Sequence, residues 1–287
     1  MKTSNHINLK ALALVLLGAA TANAAPLLTD HFAGSTGNTL GSNGWSLIAS
    51  SGGVATDVVA QNLSKSGFAA SSGNAVQLRP NGQDWYSTYT TQAYDSASNA
   101  SLYYSFLLRV DDLGSLDATG GFFGGMAAVG GVSGRAAMIG MRLSGTGFQL
   151  GVAKRDSTAL SFDSTVFSTG TTILVVGAYN LVSGNIQNDT ASLWINPGSL
   201  GAGSAPAATL SAFTTAINND TQSFSSFVWT PQGTGGSTQI PGSLIVDELR
   251  VGNSWADVTP VPEPGTFALV VLAGGAFLAR RRRRLIA

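Results

Sequence analysis

Apolar and polar residues alternate along most of the middle of this chain. From Ser101 to Val110, Leu102, Tyr104, Phe106, Leu108 and Val110 fall on one face, and Tyr103, Ser105, Leu107 and Arg109 fall on the other. A period of two marks a strand with one strongly apolar side. Further strand-like runs cover Ala75–Leu78, Ser87–Ala93, Gly121–Val129, Ala136–Leu143, Phe148–Ala153, Thr172–Tyr179, Ala191–Ile195, Phe224–Trp229 and Leu244–Val251. Turn clusters separate them, among them Pro80-Asn81-Gly82, Ser183-Gly184-Asn185, Asn196-Pro197-Gly198 and Pro241-Gly242. Gly145 and Gly147 between two alternating runs predict a hairpin. The pattern predicts an all-β fold, a two-sheet antiparallel β-sandwich, with a closed barrel as the alternative. An outer-membrane barrel is disfavoured, because the runs are not uniformly about ten residues long and carry no aromatic girdles.

The two ends of the chain read differently. Lys2 and Lys10 precede an apolar run, Ala11–Ala20, and Ala22-Asn23-Ala24 supplies small residues where a signal peptidase cuts. Residues 1–24 are therefore expected to be a helical secretory signal peptide. At the other end, Phe267–Ala279 is a run of 13 uncharged residues followed by Arg280, Arg281, Arg282, Arg283 and Arg284. It is shorter than the roughly 20 residues a comfortable span needs. Local thinning of the bilayer and snorkelling arginines can accommodate it as a short transmembrane helix. The arginines are expected to stay on the cytoplasmic side. This leaves 25–258 as the β-sandwich domain and 259–287 as a sorting and anchor segment.

Val261-Pro262-Glu263-Pro264, the apolar run and the arginine cluster together resemble the PEP-CTERM sorting signal of Gram-negative bacteria that secrete exopolysaccharide. The resemblance covers the tail alone. It implies recognition by a membrane-embedded exosortase and transient anchoring in the inner membrane. Delivery to the cell surface or the extracellular matrix would follow. A second resemblance rests on Leu27-Leu28-Thr29-Asp30-His31-Phe32, on Gly44-Trp45, and on Ile245-Val246-Asp247-Glu248-Leu249-Arg250-Val251-Gly252. These segments are similar to the first and last strands of concanavalin-A-like, laminin-G-type jelly rolls. That resemblance implies adjacent first and last strands. It also implies a calcium held at a loop, for which Asp111, Asp112 and Asp117 form the available cluster. The cluster lacks an Asp-x-Asp-x-Asp spacing, so solvated turn carboxylates are the simpler reading.

Charge narrows the partners. The whole chain is formally neutral, but residues 25–258 hold eight basic and fourteen acidic residues. An acidic domain argues against a nucleic-acid partner. There is no cysteine, which excludes disulfides, thiolate metal sites and a cysteine nucleophile.

Candidate chemistry is sparse. Residues 25–258 contain one histidine, His31, and one glutamate, Glu248, and no Gly-x-Ser-x-Gly motif. Glycoside hydrolysis needs two carboxylates flanking one bond. Asp247 and Glu248 are adjacent, and neighbours on a regular strand point to opposite faces. Glu248 is instead expected to form a surface ion pair with Arg250. The reading that follows is a non-catalytic surface or matrix protein associated with extracellular polysaccharide. A lectin-like carbohydrate-binding module and a glycan-degrading enzyme are the alternatives. Sugar stacking would fall to Trp85, Tyr86 and Tyr89 beside Asp84, and to Trp45 in a Gly/Asn-rich loop. Buried core aromatics are the commoner explanation of such residues.

Overall fold

The structure is a computed structural model. It describes residues 25–48, 53–89, 100–128, 130–131, 133–156, 158–183, 187–212, 220, 224–231 and 239–262. Two antiparallel sheets stack face to face. One contains β1 (Leu28–Asp30), β3 (Asp57–Val59), β4 (Ala75–Leu78), β6 (Ser101–Asp112), β11 (Ile173–Asn180), β12 (Thr190–Ile195), β13 (Leu210–Ala212) and β15 (Ser243–Gly252). Its order is β13-β12-β11-β6-β15-β4-β3, with β1 also on β15. The other contains β2 (Ser46–Leu47), β5 (Trp85–Thr88), β7 (Gly121–Ala127), β8 (Ala136–Ser144), β9 (Gly147–Arg155), β10 (Ser161–Phe162) and β14 (Ser226–Trp229), in the order β10-β9-β8-β7-β14-β5-β2. Among the described residues helix is confined to a 3-10 turn at Leu40–Asn43 and one turn, α1, at Trp255–Val258. No helix of the described residues is long and apolar enough to cross a membrane. The expected signal helix and transmembrane helix lie outside the described residues.

The inward face of β6 is the one the alternation predicted. Leu102, Tyr104, Phe106, Leu108 and Val110 are fully buried between the sheets. They meet Ile139 and Met141 of β8, Leu150 and Val152 of β9, and Phe227 and Trp229 of β14. Phe106 and Phe227 set their rings edge-on to Trp229, with centroids 5.1 and 4.8 Å away. Tyr104 donates its hydroxyl to the Ala137 carbonyl, which satisfies a polar group in the middle of the core. Its ring lies over Gly177, where a Cβ would sit 2.2 Å from it. Only glycine allows that approach.

The outward face of the eight-stranded sheet is also covered. Leu107, Leu174, Val176, Trp194 and Ile245 form a second apolar cluster under Leu63, Phe68, Trp255 and Val258. The covering residues come from the loop 60–74 and from α1. Asp257 and Ser254 close the start of α1 as a reciprocal capping box, which fixes this short turn on the sheet.

Candidate functional site

The outer face of the seven-stranded sheet carries a different set of side chains. The β8–β9 hairpin places Arg142 opposite Gln149. Met141 and Leu143 flank Arg142, and Phe148 and Leu150 flank Gln149, so alternation turns the two polar residues outward together. Arg142 Nε donates to Gln149 Oε1 at 2.9 Å, and its guanidinium lies 4.3 Å from the centre of the Phe162 ring. Gln149 Nε2 donates to the Ser164 carbonyl at 3.1 Å. Among the described residues Arg142 has no carboxylate partner. It is partly exposed, and its remaining N–H groups are directed by a neutral amide and an aromatic ring.

Further across the face the surface changes character. Phe122, Met138 and Ala153 pack under Leu160. Beyond them Tyr86 packs with Ile48, Ala127 and Val228. Thr88 and Ser226 pair their hydroxyls at 3.2 Å. Arg135 donates to the Gly131 carbonyl, to Thr230 Oγ1 and to Asp84 Oδ2, at 3.0, 3.1 and 3.3 Å. Thr230 also donates to Asp84 Oδ2 at 3.2 Å. Arg135 and Asp84 are thus committed to each other, whereas Arg142 is not committed to any charge.

The aromatic residues singled out in the sequence divide sharply. Trp85 begins β5, two residues ahead of the predicted strand start. It points inward at 5 % exposure, and alternation then turns Tyr86 outward. Trp45 and Tyr89 are buried as well. Trp45 stacks on Trp229 at 6.3 Å and donates its indole N–H to Asp30 Oδ2 at 2.6 Å. Trp194 is buried too, beneath α1, and donates to the Pro206 carbonyl. The candidate sugar platform of Trp85, Tyr86, Tyr89 and Trp45 is therefore not assembled. Tyr86 alone reaches the surface.

The aspartates proposed for calcium hold turns and charge pairs. Asp111 binds the Arg109 guanidinium, Asp112 accepts from the Gly114 amide, and Asp117 accepts from the Thr119 and Gly120 amides. Among the described residues no three acidic or histidine side chains are grouped so as to hold a metal ion. Val261 is exposed, with Pro262 beside it. Glu263, Pro264 and Arg280 to Arg284 lie outside the described residues, as do residues 1–24.

A concentration of charge that sequence reasoning missed lies on β15. The register slips between Asp247 and Arg250, and Glu248 takes a left-handed φ of 53°. This bulge overturns the expectation that Asp247 and Glu248 face opposite sides. Both are fully buried, and both accept amides from the same loop: Leu63 N–H to Asp247 Oδ2 and Ser72 N–H to Glu248 Oε1, each at 2.8 Å. Glu248 also meets His31 Nδ1 at 2.8 Å and Arg250 at 3.2 Å. The Glu248–Arg250 pair exists, but it is buried rather than on the surface. Burial pushes the Asp247 carboxyl up to about 7, against the pull of two backbone amides.

No protein-family model matches the chain, and no curated protein matches it. Solved structures do match. An alginate lyase, Aly36B, is 15 % identical over 80 % of this chain and 98 % of its own, with a TM-score of 0.46. An endo-β-1,4-glucuronan lyase from the fungus Trichoderma reesei is 15 % identical over 82 % of this chain and 99 % of its own, with a TM-score of 0.47. An alginate lyase from Pseudomonas aeruginosa is 14 % identical over 60 % of this chain and 74 % of its own, with a TM-score of 0.37. At these identities the likeness gives no residue of this chain a role. The structures of similar form include polysaccharide lyases, and they do not bear out the expectation of a non-catalytic domain. That expectation rested on the missing carboxylate pair and the missing serine triad. Both are requirements of hydrolysis and not of elimination.

Proposed function

We propose that the domain is a glycan-degrading enzyme acting on carboxylate-bearing polysaccharide at the outer face of the seven-stranded sheet. One observation carries this reading. Arg142 is a partly exposed guanidinium without a carboxylate partner among the described residues, in a domain with more acids than bases, fixed by Gln149 and Phe162. Such a group seeks an external anion, and a guanidinium fork matches a carboxylate in shape and charge. A neighbouring amide fixes its plane, so little side-chain freedom remains to be lost on binding.

The same face favours elimination over hydrolysis. Hydrolysis would need two carboxylates across one bond. Asp84 on this face is held by Arg135 and Thr230. Elimination from a uronic acid needs the sugar carboxylate neutralised, so that the proton on the adjacent carbon can leave to a base. The glycosidic C–O bond then breaks, a carbon–carbon double bond forms, and the departing oxygen takes a proton. Arg142 supplies the neutralisation, a form of electrostatic stabilisation aimed where charge develops. Tyr86, three strands away in the order β8-β7-β14-β5, would meet a different sugar of the same chain.

The setting we propose is export. The signal-like residues 1–24 and the tail with Val261 to Pro264 and Arg280 to Arg284 support processing by signal peptidase and an exosortase. They also support residence at the cell surface or in the matrix of a Gram-negative bacterium. The test is direct. Purified residues 25–258 are incubated with alginate and with glucuronan, and unsaturated chain ends are followed by ultraviolet absorbance. Their appearance supports the reading. Their absence, with no loss of polymer length, refutes it.

A further inference from the structure

The buried charges on β15 do no work in the proposed reaction, and their placement assigns them another role. β15 changes partner at the bulge. Leu244 to Val246 pair with β4, and Leu249 to Val251 pair with β1. Asp247 and Glu248 sit at that changeover. Each holds an amide at one end of the stretch from Leu63 to Ser72. Ser71 ties the two ends together by donating to the Leu63 carbonyl. Beyond Ser72 the chain passes so close to His31 that a Cβ on Gly73 would lie 2.1 Å from the His31 carbonyl oxygen. The same loop carries Phe68, which lies under the Arg250 guanidinium and helps cover the second apolar cluster.

The basic side chains at this site bond one carboxylate. His31 and Arg250 both contact Glu248. Asp247 receives two backbone N–H groups, from Leu63 and Glu248, and no ion pair among the described residues. On the same face of β6 Leu107 and Ser105 are uncharged and Arg109 is paired with Asp111, while Asp257 of α1 is engaged in capping its own helix. The loop has one charged residue, Lys65, which makes no ion pair to either carboxylate. The segment between β12 and β13 has no charged residue at all. Two fully buried carboxylates therefore share the charge of Arg250 and whatever proton His31 or Asp247 holds. Without a proton the cluster keeps an uncompensated negative charge out of water, which is costly.

We propose that Asp247 and Glu248 form a proton-operated clasp that holds the loop 60–74 and the first strand against the eight-stranded sheet. With a proton bound, the clasp is shut. When the proton is lost, the loop opens before the rest of the fold and uncovers Phe68, Leu63 and the apolar cluster beneath them. The elevated Asp247 carboxyl supports the sign of this effect. Its folded value exceeds the ordinary carboxylate value, so the proton binds the folded state more tightly. The contribution is fully present below the ordinary carboxylate range, is lost progressively as pH rises toward about 7, and changes no further above it.

The experiment is amide hydrogen exchange on the full chain between pH 5 and 8, corrected for the intrinsic rate of each amide. The Leu63 and Ser72 amides are compared with the Phe148 amide, which bonds the Phe167 carbonyl on the other sheet. Protection at Leu63 and Ser72 is expected to fall by up to about tenfold per unit of pH below the titration point and to level off above it, with Phe148 better protected throughout. Asp247→Asn should keep the amide contact and remove the pH dependence. Equal protection at all pH values in the native chain would overturn the clasp. So would equal protection of Phe148 and the two loop amides, which would mean that the loop opens only with the whole fold. If Asp247→Asn does not fold, the native chain alone decides between these outcomes.

Discussion

The two outer faces of the sandwich begin from the same alternation and end in opposite conditions. On the eight-stranded sheet the outward residues include Leu107, Leu174, Val176 and Trp194, and α1 with the loop 60–74 buries them as a second core. Its charged groups Arg79, Arg109 and Arg250 are each paired with a carboxylate. On the seven-stranded sheet the hairpin turns out Arg142 and Gln149, and there the guanidinium meets an amide and a ring. A face whose charges are neutralised internally is built for stability. A face that leaves a cation directed outward is built to meet an anion. The difference lies in what covers each face, and it is set by loops rather than by strand alternation.

Removing the cover of the first face should have the largest effect. Trp255→Ala deletes a buried side chain whose indole donates to the Ser199 carbonyl, and is expected to cost about 3–5 kcal/mol. Urea unfolding would read this as a lowered midpoint, while cleavage per folded molecule stays unchanged. Trp85→Ala should behave the same way. Lost glycan recognition at full stability in that variant would restore the surface role that its burial denies it. On the second face the pattern should invert. Arg142→Ala is expected to shift stability by no more than about 0.5 kcal/mol. Its action on acidic polysaccharide should drop on the order of 10- to 100-fold, the worth of a charge-assisted hydrogen bond. Kinetics and denaturation on one preparation separate the two effects.

The pH response should be smaller and confined to the first face. Asp247 titrates near 7. Its carboxyl binds a proton more tightly when folded, so stability is expected to fall as pH rises from 5 to 7 and to level off above. Asp247→Asn should flatten that slope, as thermal midpoints across the range would show. A slope of the opposite sign would contradict the clasp. Smallest of all, Tyr86→Phe should leave stability almost unchanged and weaken the binding of long glycans more than that of short ones.

Much of this architecture was legible in the pattern of residues. The alternation of Leu102 to Val110 named the inward face of β6 correctly, and Gly145 marked the hairpin that joins β8 to β9. Short strands were not legible. β2 and β10 have two residues each, too few to show a period. The phase of β5 was also lost, because Asp84 and the Pro80-Asn81-Gly82 turn suggested a loop where Trp85 already points inward. The bulge at Glu248 could not be read at all, since it depends on a left-handed residue that is not glycine. Arg142 and Gln149 stand at equal distances from the centre of the hairpin turn, so their pairing was available to a reading that counted outward from it. Their lack of a carboxylate partner was not, because that depends on where the other strands fall.

One comparison bears most directly on the central claim. Residues 25–258 and the Arg142→Ala variant are assayed on a polyuronate and on the same polymer with its carboxyl groups reduced to alcohols. The expected result is unsaturated chain ends from the polyuronate with the native sequence, and little or none in the other three reactions. Equal action on the reduced polymer, or full action by the variant, would contradict a site built around an uncommitted guanidinium.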